Sequence, residues 1–421
     1  MTPHPSAPAP RALRLTPAGR LDGTALLGDP RLARVLDLLD RDGEEARLVG
    51  GAVRNALLGL PPGDLDLATT APPAAVMARA KAARIRAIPT GIDHGTVTLL
   101  SDGLPIEVTT LREDVETDGR HAVVRFGRDF ARDAQRRDFT VNALSLGRDG
   151  LLHDTTGGVD DLAAGRLRFI GDAATRIRED YLRILRFFRF HATYGIGPLD
   201  PEGLAAAVAG RAGLDRLSRE RVRSEMLKLL GAPGALGVLT TLDGTGLAAQ
   251  ILGGPTDVGR LARLLATGDA DPLLRLAALA ARHPSDVERL RDGLRLANTE
   301  RDRLLAALAA GSDLAGPPDA AAARRLLFDH GRDAARDAAR LARADAADDA
   351  GWAEAFDRLA TEAVPEMPVS GRDLVARGLK GPAVGEALAR FRAAYRGADF
   401  PAGSAARDGL LAAAVADPPP G

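Results

Sequence analysis

Apolar positions change period several times in the first 170 residues. Leu32, Val35, Leu36 and Leu39 recur at helical spacing and predict a helix over 32–39. The stretch ARLVGGAVRNALLGL reads as a short strand at 47–49, a glycine turn and a helix at 53–58. DLDLATT alternates as a short strand, and 74–83 is Ala-rich and helical. GTVTLLS and LPIEVTTLR alternate with period two, and the Asp-Gly between them signals a hairpin. The polar run 113–120 predicts a loop. Beyond Asp172 strand signals stop, and helical spacing continues to the end, punctuated by Gly and Pro near 231–234, 253–255, 316–318 and 401–403. The ALAALAA and AARDAAR textures are Ala-rich helix composition rather than a repeat.

This pattern predicts an α+β chain: a head with a small mixed sheet, followed by an all-helical remainder. The expected divisions are a loose lead-in at 1–27, a head at 28–165, a helical neck at 166–230, a helical body at 231–315 and a helical tail at 316–421. A chain of 421 residues is too long for one compact core. No apolar run is long enough to span a bilayer, and the N-terminus has no signal-peptide core, so neither a membrane nor a secretory role is expected. Cysteine is absent, which excludes disulfides and thiolate sites and fits a reducing cytoplasm. A net charge of −1 lends no support to a nucleic-acid partner, so only local charge placement can inform. Lys occurs only at Lys81, Lys228 and Lys380; Arg dominates as a compositional bias, so no Arg is read as a phosphate ligand on type alone.

The first chemical feature is Gly50-Gly51 and Arg54, followed by Asp64-Leu65-Asp66. Residues two apart on a strand share a face, so Asp64 and Asp66 stand together and repel unless a cation joins them. Mg²⁺ suits such a pair, completed by phosphate oxygens. A glycine turn lets backbone amides approach a triphosphate, and Arg54 adds a cation. The bland alternative is a plain turn and a solvated strand edge. Glu107, on the opposite face to Ile106 and Val108, is a candidate third carboxylate, or simply a solvent-facing strand residue.

Two Arg-rich segments follow. RRDFTVNAL carries Arg136, Arg137, Asp138 and Asn142, suited to phosphate and ribose, or alternatively to a capped helix start. In REDYLRILRFFRFHATYG, Asp180, Arg183, Arg186 and Arg189 recur every third residue and would form one helix stripe, or alternatively a solvated Arg face. An Asp–Arg pair can accept from the amino group and donate to the ring nitrogen of cytosine or adenine. Uracil and guanine fail both contacts, which leaves buried polar groups unpaired.

In order and spacing, LVGGAVRNALLG…DLDLATTAPP, RRDFTVNAL and EDYLRILRFFRF resemble the motifs of class II CCA-adding tRNA nucleotidyltransferases and bacterial poly(A) polymerases, of the DNA-polymerase-β-like superfamily. The likeness covers about residues 46–190. It implies transfer of CMP and AMP from CTP and ATP to the tRNA 3′ end, with tRNA held along the helical parts. Asp64 and Asp66 match Mg²⁺ ligands, and Glu107 fits the family's third carboxylate. Gly51 and Arg54 match triphosphate contacts, Arg137 a nucleotide contact, Asp180 and Arg183 the base-reading pair, and Arg186 and Arg189 further nucleotide contacts. The 113–120 loop resembles one associated with the switch from C to A addition.

The chain departs from the family in reading Val53-Arg54-Asn55 where Val-Arg-Asp is frequent. A metal-phosphohydrolase signature is absent. The rival readings are a poly(A) polymerase, a CC-only or A-only enzyme, an inactive RNA-binding protein, and a small-molecule nucleotidyltransferase. The lack of a basic run at the C-terminus favours tRNA repair over polyadenylation. No protein partner is expected.

Overall fold

The computed structural model describes residues 11–22, 26–92, 95–117 and 122–416, which divide into two compact units, 1–247 and 248–421. The first unit holds the sheet. Asp29 caps α1 (Pro30–Leu39), accepting from the Arg31 amide at 2.9 Å with Pro30 in the first turn. Leu32, Val35, Leu36 and Leu39 of α1 are buried. Then follow β1 (Ala46–Val49), α2 (Gly51–Leu57), β2 (Leu65–Thr69), α3 (Pro73–Ala82), β3 (Arg86–Gly91), β4 (Thr96–Ser101) and β5 (Leu104–Thr110). Between β4 and β5, Asp102 and Gly103 both have positive φ, 46° and 82°, as a two-residue hairpin turn requires. Val97, Leu99, Ile106 and Val108 are buried, so the alternation is read by the core.

The sheet continues with the two short strands β8 (Ser145–Leu146) and β9 (Leu152–His153) and has the order β3-β4-β5-β2-β1-β8-β9. Only β2 and β5 pair in parallel, so the sheet is mixed, as expected. Residues 113–117 of the expected loop are strand: β6 (Arg112–Thr117) and β7 (Ala122–Phe126) form a separate antiparallel pair, and residues 118–121 lie outside the described part. A polar run can pair by backbone hydrogen bonds alone, which apolar periodicity does not register. The lead-in also differs from expectation. The Arg11 amide donates to Ala163 C=O, that of Arg14 to Leu57 C=O and that of Leu21 to Gly150 C=O. Residues 1–10 and 23–25 lie outside the described part.

Helices complete the first unit: α4 (Phe130–Gln135), α5 (Gly158–Ala164), α6 (Ala173–Glu179), α7 (Leu182–Tyr194), α8 (Pro201–Ala209) and α9 (Arg219–Leu230), with a further helix at Ala235–Gly244. Phe139 sits fully buried against Phe169 at 4.8 Å and Phe190 of α7 at 5.6 Å. Phe169 stacks on Phe187 of α7 at 5.4 Å. This aromatic cluster fixes the polar residues flanking Phe139 against α7.

The second unit is helical from Val258–Ala266 to Ser404–Ala416. Trp352 packs with Leu326, Leu327 and Leu359, and Phe391 with Leu374, Tyr395 and Leu411. The acidic stretch near 345–349 is neutralised within this unit: Asp345 pairs with Arg260 and Arg282, and Asp349 with Arg343. Among the described residues, no helix is long and apolar enough to cross a membrane.

One glycine tests this packing. Gly158 opens α5 directly over the Thr140 carbonyl, and a Cβ there would lie 2.3 Å from that oxygen. Gly158→Ala is expected to destabilise the first unit by about 3 kcal/mol. A thermal midpoint within about 2 °C of the parent would contradict this packing.

Candidate active site

Strand β2 runs antiparallel to β1 with Leu48 opposite Leu67, and parallel to β5 with Asp66 opposite Glu107. Leu65 and Leu67 point into the core, Asp66 is half-buried, and Asp64 lies exposed just before the strand. Glu107 is exposed on β5. Burial, then the charges of Glu107 and Asp64, push the Asp66 carboxyl up to about 6, while Arg137 opposes them. The sequence-predicted carboxylates therefore converge. Among the described residues no three His, Cys, Asp or Glu side chains close into a finished metal cage. An acidic edge that raises the proton affinity of Asp66 fits a hard cation completed by substrate oxygens, as Mg²⁺ is bound with few carboxylates.

Gly50 ends β1 with φ 69° and ψ −128°, a conformation that favours glycine, and its amide donates to Leu144 C=O at 3.2 Å. A Cβ on Gly50 would approach the Arg137 guanidinium at 3.4 Å, and one on Gly51 that of Arg54 at 3.6 Å. Two cations thus flank the turn. Arg54 is only 5% exposed. It donates to Asn142 Oδ1, to Asn55 Oδ1 at 3.0 Å and to the Tyr194 hydroxyl at 2.7 Å. Burial holds its guanidinium below the ordinary Arg range, with Tyr194 acting the other way.

The second motif is a polar chain. Asp133 accepts from Arg136 at 2.8 Å and from Arg137 at 3.1 Å, fixing both. Asp138 is buried; it accepts from the Phe139 amide, from Asn142 Nδ2 at 3.0 Å, and from Arg186 Nη2 at 2.6 Å. Its carboxyl stays below the usual range: burial opposes ionisation, but Arg186 and the hydrogen bond from Asn142 outweigh it. Asn142 thus joins Arg54 to Asp138, and Asp138 joins Arg186 on α7. Asp138 and Asn142, the candidate ribose contacts, are bonded to each other, to Arg186 and to Arg54.

The third motif is not a single helix stripe. Asp180 precedes α7 in extended backbone, φ −152°, accepting from the Leu182 amide at 3.0 Å and from Arg221 at 2.7 Å. A residue that caps a helix start leaves the helical period, which is why the stripe begins at Arg183. Arg183 pairs with Glu179 at 2.5 Å and donates to Arg176 C=O at 2.9 Å. Asp180 and Arg183 lie in one turn but are held by different partners. Arg189 pairs with Glu225 at 2.5 Å. Sequence reasoning missed Asp133, Glu179, Tyr194, Arg221 and Glu225. Asp133–Arg137 and Glu179–Arg183 carry a visible four-residue spacing. Nothing local marks Tyr194, Arg221 or Glu225, which meet their partners only through the fold.

Residues 46–168 match the family described as Poly A polymerase head domain. The mitochondrial CCA tRNA nucleotidyltransferase 1 of Danio rerio is 35% identical over 370 residues, covering 86% of this chain and 85% of that protein. The chain belongs to the CCA-adding tRNA nucleotidyltransferase family. The CCA-adding enzyme of Latilactobacillus sakei is 32% identical over 369 residues, covering 84% of this chain and 90% of that protein. A crystal structure of the Bacillus stearothermophilus CCA-adding enzyme in complex with CTP aligns at a TM-score of 0.72 and 29% identity, covering 91% of this chain and 98% of that one.

The departure at Asn55 has a structural counterpart in this member of the CCA-adding family. The side chain accepts from Arg54 and from the Tyr194 hydroxyl, and donates to Pro61 C=O at 2.9 Å. It holds Arg54 without neutralising it.

The Asp138–Arg186 pair gives a pH test. A depressed carboxyl stabilises the fold above its unfolded pKa, and that stability is lost as pH falls through the folded value. Asp138→Asn is expected to cost about 2–3 kcal/mol at pH 7, below the range for fully buried pairs because Arg186 is partly exposed. The gap to the parent should close as pH falls below the ordinary carboxylate range and through the lowered folded-state value of Asp138. Denaturant melts at pH 7 and in acid check this; a gap that does not depend on pH would remove the ion pair from the account.

Proposed function

We propose that this chain extends the tRNA 3′ end with C, C and A, taking CMP and AMP from CTP and ATP and releasing pyrophosphate. One observation carries the reading: within the first unit, the Asp64–Asp66–Glu107 edge faces the Gly50–Gly51 turn and its flanking Arg54 and Arg137. The Bacillus stearothermophilus relative's complex with CTP supports a nucleotide substrate. In this proposal Asp64 and Asp66 hold Mg²⁺, with Glu107 beside them. When bound, Mg²⁺ supplies charge stabilisation at the attacking and leaving oxygens. The 3′-hydroxyl bonds to the α-phosphorus as the bond to pyrophosphate breaks. Gly50, Gly51, Arg54 and Arg137 receive the triphosphate, while Asp180 and Arg183 read the base edge. Arg186 and Arg189 are further nucleotide contacts, each paired with a carboxylate, Asp138 and Glu225.

The head, neck, body and tail divisions at 28–165, 166–230, 231–315 and 316–421 belong to the same proposal, with tRNA along the helical parts. So does action in the cytoplasm, supported by the absence of cysteine; the Danio rerio relative is named as mitochondrial.

The deciding experiment offers tRNAs ending before C, at C, at CC and at CCA, with labelled CTP and ATP separately and together. Addition that stops at CCA is expected. A long A tail would replace the reading with polyadenylation, and addition that stops at CC would make this a partial enzyme. Asp64→Ala should lower incorporation by roughly 10²–10³-fold or more with the thermal midpoint retained. Arg183→Ala should raise UTP and GTP use about tenfold relative to CTP. Unchanged selectivity would place base reading elsewhere.

A further inference from the structure

Three guanidinium groups gather around the ring of Phe190: Arg54 at 5.1 Å, Arg186 at 5.0 Å and Arg189 at 3.9 Å from its centroid. Two of them have carboxylate partners, Asp138 for Arg186 and Glu225 for Arg189. Arg54 is the most buried of the three, and among the described residues its side-chain bonds go only to neutral groups: Asn142 Oδ1, Asn55 Oδ1 and the Tyr194 hydroxyl. One positive charge is therefore left over, and it sits against Gly51. A buried cation without an ion-pair partner is unfavourable unless an anion arrives to complete it.

We propose that Tyr194 is a positioning residue for the nucleoside triphosphate, holding Arg54 in a neutral cage so that its charge stays available to the phosphates. This rests on the reading of Gly50, Gly51 and Arg54 as the triphosphate site. The Tyr194 hydroxyl is suited to the task because it faces two ways. It accepts from Arg54 Nη2 at 2.7 Å and donates to Asn55 Oδ1 at 3.0 Å. The face of its ring lies 4.0 Å from the guanidinium carbon, which adds attraction without opposite charge. A carboxylate in its place would hold the cation as firmly and would also neutralise it. Tyr194 is itself anchored: its ring stacks on Phe190 at 6.0 Å, and its carbonyl accepts from Arg11 at 2.8 Å. Because Tyr194 ends α7, the helix that carries Arg183 also steadies Arg54.

The test compares the parent, Tyr194→Phe, Arg54→Ala and the double variant in the full-length chain with tRNA. Tyr194→Phe should raise KM for CTP and ATP about tenfold, the scale of one lost hydrogen bond to a charged group, with kcat changed less than about twofold. Inhibition by pyrophosphate should weaken by the same factor, and inhibition by CMP should not change. In the Arg54→Ala background, Tyr194→Phe should have no further effect, since it acts through that side chain. Unchanged triphosphate constants in Tyr194→Phe, equal losses for CTP and CMP, or additive effects in the double variant would each overturn the role of Tyr194. Arg54→Ala with an unchanged CTP KM would overturn the triphosphate site itself.

Discussion

The burial of Asp66 beside the charge of Glu107, set side by side by a parallel strand pairing, governs how the site is built. A half-buried carboxylate beside another raises its own proton affinity, so the acidic edge is satisfied only when cations face it. The fold supplies them in graded form. Arg137 stands near enough to oppose the shift at Asp66, and Arg54 lies deeper, behind the glycine turn. Carboxylates and cations thus meet at the glycine turn.

The cations are not loose side chains. Arg137 is fixed by Asp133, and Arg54 through Asn142 to Asp138 and on to Arg186. Every link but the last Arg is substantially buried, where a satisfied polar network is rigid and a half-satisfied one is costly. The Phe139, Phe169 and Phe187 cluster holds this chain of bonds to α7. Precision at the surface of the site derives from apolar packing beneath it.

Much of this was legible in the sequence. Period-two alternation gave β4 and β5, and the Asp-Gly gave their turn, because one face of each strand is buried. The carboxylates were legible because strand geometry is local. The β6–β7 pair was not, since its pairing lies in the backbone. Nor were the very short β8 and β9, which complete the sheet with two residues each. Asp180 was misplaced onto a helix because a cap and a first helical turn share the same spacing. Tyr194, Arg221 and Glu225 were beyond reach, since their partners lie 36 to 140 residues away.

The N-terminal segment has a consequence in time. Arg11 bonds to Ala163 and to Tyr194, the latter across 183 residues. A chain emerging from the ribosome cannot make that contact until α7 has been synthesised. Arg11 is thus secured to Tyr194 only after 183 further residues have been made, and closing so long a loop adds to contact order. The contact of Arg11 with Tyr194 therefore waits for α7.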